Sequence, residues 1–336
     1  MKAVGYYKSL SIENADVLVE FIAPEPTPGP RDLLVEVRAV SVNPVDTKMR
    51  MRSEPQDGKA AILGWDAAGV VKAVGADVTL FAPGDAVWYA GAIDRPGCNS
   101  ELHMVDERIV GRQPASLSFA EAAAMPLSAI TAWEMLFDRL GVARDGGAGQ
   151  NLLITGGAGG VGSILIQLAR QLTKLTVIAT ASRRETAVWC KELGAHHVID
   201  HSKPLAAQLA AIGAPQVEMI AALTATDTHA PAYMDIIAPQ GRICVIDDPK
   251  TLDIMPFKRK SVSLHWEFMY TRSLFQTPDM IEQHNLLNEL TRLVEEGVVK
   301  TTFAEHFGTI NAANLKRAHA LIESGRAKGK IVLEGF

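Results

Sequence analysis

The glycine-rich run GGAGGVG, Gly156 to Gly162, stands between the apolar stretch NLLIT and the stretch VGSILIQLARQL. It holds the spacing GxGxxG at Gly157, Gly159 and Gly162, with Gly160 and Val161 inside it. Three separate demands need glycine at that spacing: a tight turn, close approach of the backbone to a pyrophosphate, and close packing of helix on strand. The helix N-terminus that follows is suited to hold the anion. After the glycines, Val161, Ile164, Leu165, Leu168 and Leu172 fall on one helical face. A strand, a glycine turn and an amphipathic helix in this order predict a dinucleotide-binding unit.

The sequence around this turn alternates in the same way. NLLIT, LTVIAT, HHVID, VEMIAAL, GRICVID and SVSLHWEF read as six strands, and helical stretches such as RETAVWCKEL and PLAAQLAAI separate them. Strands alternating with helices predict a doubly wound parallel sheet, a Rossmann α/β arrangement covered on both faces. Upstream, LLVEVRAVSV, AAGVVKAV and DAVWYA are short β-rich pieces between Pro- and Gly-bearing turns, which predicts a small β-barrel. The helical stretch AEAAAMPLSAITAWEMLFDRL, broken at Pro126, marks the passage between the two. The tail after Met269 regains the texture of the first third. The expected division is therefore 1–124 completed by 269–336, with 125–268 as the nucleotide-binding domain.

About 20 residues past the glycines, a carboxylate would bind the ribose 2′-hydroxyl of NADH. ATASRRET has Ala181 near that place, followed by Ser182, Arg183 and Arg184. Two arginines opening a helix oppose its dipole unless an anion lies among them, and a 2′-phosphate is such an anion. The expected cofactor is NADPH. His201, at the end of the third strand, either borders the adenosine ribose or is an ordinary strand-end histidine.

Composition narrows the partners. With 336 residues, 48% hydrophobic, 21% charged and a net charge of −5, the chain can bury a large core and lacks the basic surface of a nucleic-acid or anionic-membrane binder. No stretch has signal-peptide or membrane-spanning character, so a cytoplasmic protein is expected. Three distant cysteines, Cys98, Cys190 and Cys244, suit reduced thiols, and neither CxxC nor HExxH is present. A small molecule is the expected partner.

In order along the chain, LLVEVRAVSVNPVDTKMR, GWDAAGVVKAVGADV, APGDAVW, MPLSAITAW, TGGAGGVG, LGAHHVID, GRICVI and GKIVL resemble the medium-chain dehydrogenase/reductase superfamily over nearly the whole length. NPVD and GGAGGVG are similar to its quinone oxidoreductase and zeta-crystallin branch, in the group called zinc-type alcohol dehydrogenase-like. The resemblance implies a GroES-like catalytic β-barrel domain, a Rossmann domain, a cleft between them and a homodimer through the last Rossmann strand. Zinc enzymes of this superfamily carry a cysteine where this chain has Asn43, and a His-Glu pair where it has Trp65 and Asp66. A catalytic zinc takes about three protein ligands, thiolate or imidazole among them. Asn and Trp do not supply these, and the spacing of Asp66, Cys98 and His103 does not argue for another site. No metal is expected.

Without a Lewis acid, the easy chemistry is hydride transfer that leaves charge on a phenolate or enolate oxygen, which modest donors stabilise. The expected activity is NADPH-dependent reduction of quinones or α,β-unsaturated carbonyls. Two alternatives stay open: an NADPH-binding protein with little catalysis, and a zinc alcohol dehydrogenase with displaced ligands. Asn43 can donate its amide to the carbonyl, or simply form a turn before Pro44. The resemblance places Thr131 beside the nicotinamide; the other reading is a helical threonine bonded back to a carbonyl. Trp65 is either a flat wall for a conjugated substrate or a core aromatic. By period 2, His265 and Glu267 share one face of the last strand, and His265 is a candidate proton donor beside solvent.

Overall fold

The 11-residue strand Asp32–Val42 is the hub of the amino-terminal part of the structure. One of its edges pairs along its length with Ala67–Val74, and the other divides between Leu102–Asp106 and Lys330–Glu334. Against Ala67–Val74 the register shifts at Leu34/Val35 and Val37/Ala39, bulges of the kind that bend a strand and increase its twist. The computed structural model describes residues 1–336 and resolves them into two compact units, Met1–Ile130 with Tyr270–Phe336, and Thr131–Met269.

In the first unit, the expected barrel takes the form of a bent seven-stranded sheet and a small sheet of three strands. The seven-stranded order begins with Phe303–His306 and Lys330–Glu334, so the carboxy-terminal tail enters the same sheet as the first third. Asp32–Val42 is buried over most of its length, with Leu33, Val35, Val37, Ala39 and Val40 at 0–4% exposure. Outside that sheet, helix Pro44–Arg52 contributes Arg50, fully buried and paired with Glu323 of helix Ala312–Glu323 and with the Leu10 carbonyl. His319 lies fully buried near it; burial and the Arg50 charge lower its pKa to about 3, so it is neutral.

The second unit holds a six-stranded parallel sheet. Its order is His197–Ile199, Thr176–Thr180, Asn151–Ile154, Val217–Ala222, Ile237–Val245 and Ser263–Trp266. Numbered in sequence this is 3-2-1-4-5-6, the doubly wound arrangement that the strand-helix alternation implied. Strands covered on both faces read as unbroken apolar runs, and Val177, Ile178 and Ala179 are all fully buried. Helix Gly160–Leu172 is buried from Gly162 to Ala169 and again at Leu172, whereas Val161 is only half-buried. The edge strand stops at Trp266, so Glu267 lies just past it and does not share its pleat.

Candidate active site

The glycine turn shows three glycines under different constraints. A Cβ on Gly157 would stand 2.8 Å from the Ala179 Cβ, and one on Gly162 would stand 2.6 Å from the Gly156 carbonyl oxygen. These two glycines are required by strand and helix packing inside the protein. Gly159, in extended backbone at φ −74°, has only the Gly156 oxygen at 3.5 Å from its would-be Cβ. Nothing within the chain demands glycine there; the space it leaves open faces the first turn of the helix at Gly160, Val161 and Gly162, whose N–H groups precede the helical ladder. Such a bare cradle at a helix N-terminus fits a pyrophosphate.

Thr180, at the end of its strand, holds the turn in place: its hydroxyl accepts from the Gly156 N–H at 3.1 Å, and its carbonyl accepts from Gly157. The same hydroxyl is 3.3 Å from His201 Nδ1, which links the third strand to the glycine turn. Beyond it, the His229 ring lies edge-on to His201, and Tyr233 donates its hydroxyl to Thr155. Thr180 and His229 carry no sequence signal of their own. Thr180 comes to the turn from the carboxyl end of its strand, and His229, in helix Thr226–Ile236, reaches the His201 ring.

Ser182 and Arg184 are exposed and Arg183 is half-buried, at the start of helix Arg184–Glu192. Arg183 makes an ion pair with Glu185 at 3.2 Å. At this exposure such a pair contributes little and can be exchanged for a stronger anion. The helix is tied to the glycine-turn helix by Trp189, which donates to the Ser163 hydroxyl at 2.8 Å.

In the first unit, four segments meet at Asp66, which is fully buried. One carboxylate oxygen accepts from the Leu127 N–H at 2.9 Å, in the first turn of helix Pro126–Trp133. The other accepts from the Asn43 amide at 3.0 Å and from the Lys330 ammonium at 2.9 Å. Lys330 also donates to the Asn43 side-chain oxygen. Burial raises the Asp66 pKa, while Lys330 and these donors oppose the rise. Asp46 caps helix Pro44–Arg52 by accepting from the Asn43 N–H at 2.7 Å, and burial pushes its pKa up to about 7. Asn43 is 2% exposed and its amide faces Asp66 and the Ser41 carbonyl. The group expected to donate to a substrate oxygen is thus engaged within the protein.

Trp65 is 3% exposed and donates its indole N–H to the Ala92 carbonyl, the core reading of that residue. Thr131 is buried in helix Pro126–Trp133. His103 is bracketed by the Pro96 carbonyl at 2.9 Å and the Tyr89 hydroxyl at 3.1 Å. A carbonyl can only accept, so Nε2 carries the proton and Nδ1 accepts from tyrosine. Burial lowers the His103 pKa to about 4, and burial raises that of the Cys98 thiol, whose sulfur faces the Asp66 carbonyl. The donors that surround Asp66 and Asn43 are therefore an ammonium, an amide, an indole already bonded and a protonated thiol. That set does not fit zinc, and no three His, Cys, Asp or Glu side chains gather for a metal elsewhere.

His265, in the second unit, is half-buried, with Nε2 lacking a hydrogen-bond partner. Burial, then Arg242 and Arg139, lower its pKa, which makes it a poor proton donor near neutrality. Beside it lies a group the sequence did not reveal. Glu134 and Glu267, 0% and 3% exposed, share Arg139, whose Nε is 2.8 Å from Glu267. One arginine cannot neutralise two buried carboxylates. Burial and then Glu134 push the Glu267 pKa up to about 9, against the pull of Arg139, and the pair keeps a proton.

The two halves of the chain match separate families. Residues 29–133 match the alcohol dehydrogenase GroES-like domain, and residues 193–333 match zinc-binding dehydrogenase. With the doubly wound sheet, these matches define an oxidoreductase of the alcohol dehydrogenase type. A zinc-type alcohol dehydrogenase-like protein of Staphylococcus aureus (strain MSSA476) is 39% identical, covering 99% of each chain. A quinone oxidoreductase of Pseudomonas aeruginosa is 30% identical over 91% of this chain and 92% of its own. Among solved structures, a Rhizobium etli CFN 42 protein provisionally named a zinc-dependent alcohol dehydrogenase is 60% identical with a TM-score of 0.97, covering 100% and 98% of the two chains. A mycobacterial protein solved with NADPH is 25% identical at TM-score 0.85, covering 99% of each. The chain belongs to the medium-chain dehydrogenase/reductase superfamily, in its zinc-type alcohol dehydrogenase-like group, with quinone oxidoreductases among its relatives.

Two stability measurements check this geometry. In urea unfolding, Gly162→Ala is expected to lose about 1–3 kcal/mol or more from overpacking, whereas Gly159→Ala stays within about 0.5 kcal/mol of the parent; equal losses would contradict the division of roles. Because Glu267 binds its proton more tightly folded than unfolded, stability from the pair is complete below the ordinary carboxylate range and falls as pH rises toward 9. Thermal midpoints followed across that window are expected to fall less in Glu267→Gln than in the parent. Parallel curves would remove the shared proton from consideration.

Proposed function

We propose that the protein is an NADPH-dependent reductase that transfers hydride to quinones or α,β-unsaturated carbonyls without a metal ion. The observation that carries this reading is the bare cradle at Gly159, with Ala181 where an NADH-selecting acid would stand and Ser182, Arg183 and Arg184 just after it. Gly159, Gly160, Val161 and Gly162 would hold the pyrophosphate, and His201 would border the ribose. Arg183 and Arg184 would take the 2′-phosphate, Arg183 turning from Glu185 to a doubly charged partner. The mycobacterial relative solved with NADPH supports the same class of cofactor.

Bound NADPH supplies the hydride. Thr131, on helix Pro126–Trp133, lies where the resemblance sets a threonine by the nicotinamide, and Asp66 fixes the first turn of that helix through the Leu127 N–H. Accepting hydride, a quinone or enone becomes a phenolate or enolate, a charge that hydrogen-bond donors and water stabilise without a Lewis acid. The proton then comes from solvent, since burial and then the Arg242 and Arg139 charges lower the pKa of His265. The quinone oxidoreductase of Pseudomonas aeruginosa, at 30% identity, supports this substrate class. The exposed Trp266 and Phe268 at the end of the edge strand suit a homodimer.

A second reading, cofactor binding with little turnover, draws on the burial of Asn43 and Thr131, at 2% and 5% exposure. One assay separates the two. Changing both Arg183 and Arg184 to Ala is expected to raise the KM for NADPH by about tenfold to a hundredfold, as loss of one or two charged hydrogen bonds does, and to leave that for NADH nearly unchanged. Equal changes for the two cofactors would sink the 2′-phosphate assignment, and no oxidation of NADPH with any quinone or enone would favour the second reading.

A further inference from the structure

We infer that Lys330 is a positioning residue: its ammonium, held between Asn43 and Asp66, fixes the start of helix Pro126–Trp133 through the Asp66 carboxylate. The lysine belongs to the strand KIVLE, where four successive residues are buried, and it is 3% exposed itself. A lysine in such a run is rarely tolerated unless paired. Its ammonium donates to the Asp66 carboxylate at 2.9 Å and to the Asn43 side-chain oxygen. A divalent ion could reach these oxygens only by displacing a covalently tethered cation that already neutralises the carboxylate.

The charge acts beyond the pair. Asp66 has one oxygen for Lys330 and Asn43 and the other for the Leu127 N–H at 2.9 Å. Positions 43, 66, 127 and 330 are thereby joined through one buried carboxylate. If the ammonium is removed, burial drives the carboxylate to take up a proton, and a neutral carboxyl accepts the Leu127 N–H more weakly than a carboxylate does. Lys330 is thus a positioning residue, acting through Asp66. Cys98 and Trp65 do not replace it, since the thiol stays protonated and the indole N–H is given to Ala92.

The test is a double-mutant cycle with Lys330→Met, Asp66→Asn and both together, read by urea unfolding and by hydrogen exchange at the Leu127 amide. Breaking a buried pair from one side is expected to lower the folded-to-unfolded ratio by a factor on the order of 100 to 1,000. The double variant, with no buried charge left unpaired, is expected to be more stable than either single variant. In Lys330→Met the Leu127 amide exchanges faster than in the parent, relative to amides elsewhere in the same unit. Additive losses, or unchanged relative exchange at Leu127, would overturn the inference. Should neither single variant accumulate folded, the double variant must still fold; its failure would overturn the inference as well.

Discussion

The first unit depends on the buried ion pair between Asp66 and Lys330. Its two partners come from segments far apart in sequence, and the carboxylate has a further acceptor site for the backbone of helix Pro126–Trp133. A buried charge is costly unless fully paired and hydrogen-bonded, and Asp66 meets that condition with three donors. The same arrangement accounts for the route of the tail. Strand Lys330–Glu334 must pair with Asp32–Val42 for the ammonium to reach its partner, so the last residues of the chain are bound into the sheet begun by the first third.

The second unit rests on a different constraint, the closeness of backbone at the glycine turn. Gly157 and Gly162 allow strand and helix to approach, and Thr180 ties the turn to the neighbouring strand. These contacts are internal and would be needed with or without a ligand. Gly159 is the exception, open where its neighbours are crowded. That difference separates the residues that build the fold from the one that leaves room for an anion.

Much of this was legible in the sequence because it depends on local pattern. Glycine spacing, apolar runs and their alternation with helices carried the doubly wound sheet, and the motif order carried the family. What could not be read was which distant side chains meet. Lys330 sits in GKIVL as an apparently ordinary basic residue, and nothing local ties it to Asp66, 264 positions away. For the same reason Asn43 looked available to a substrate, since Asp66 and Lys330, which hold its side chain, come from elsewhere in the chain. Glu134 lies in the helical passage broken at Pro126 and Glu267 at the end of the last strand, and their shared burial is set by tertiary packing alone.

Family resemblance and local chemistry pull apart at one point. The relatives' names speak of zinc, whereas the groups around Asn43 and Asp66 are an ammonium, an amide, a bonded indole and a protonated thiol. The most direct measurement is NADPH oxidation with a quinone after exhaustive treatment with a chelator, alongside elemental analysis of the same sample. Retained turnover with substoichiometric zinc is the expected result. Turnover lost to the chelator and restored by one equivalent of zinc would contradict hydride transfer without a metal.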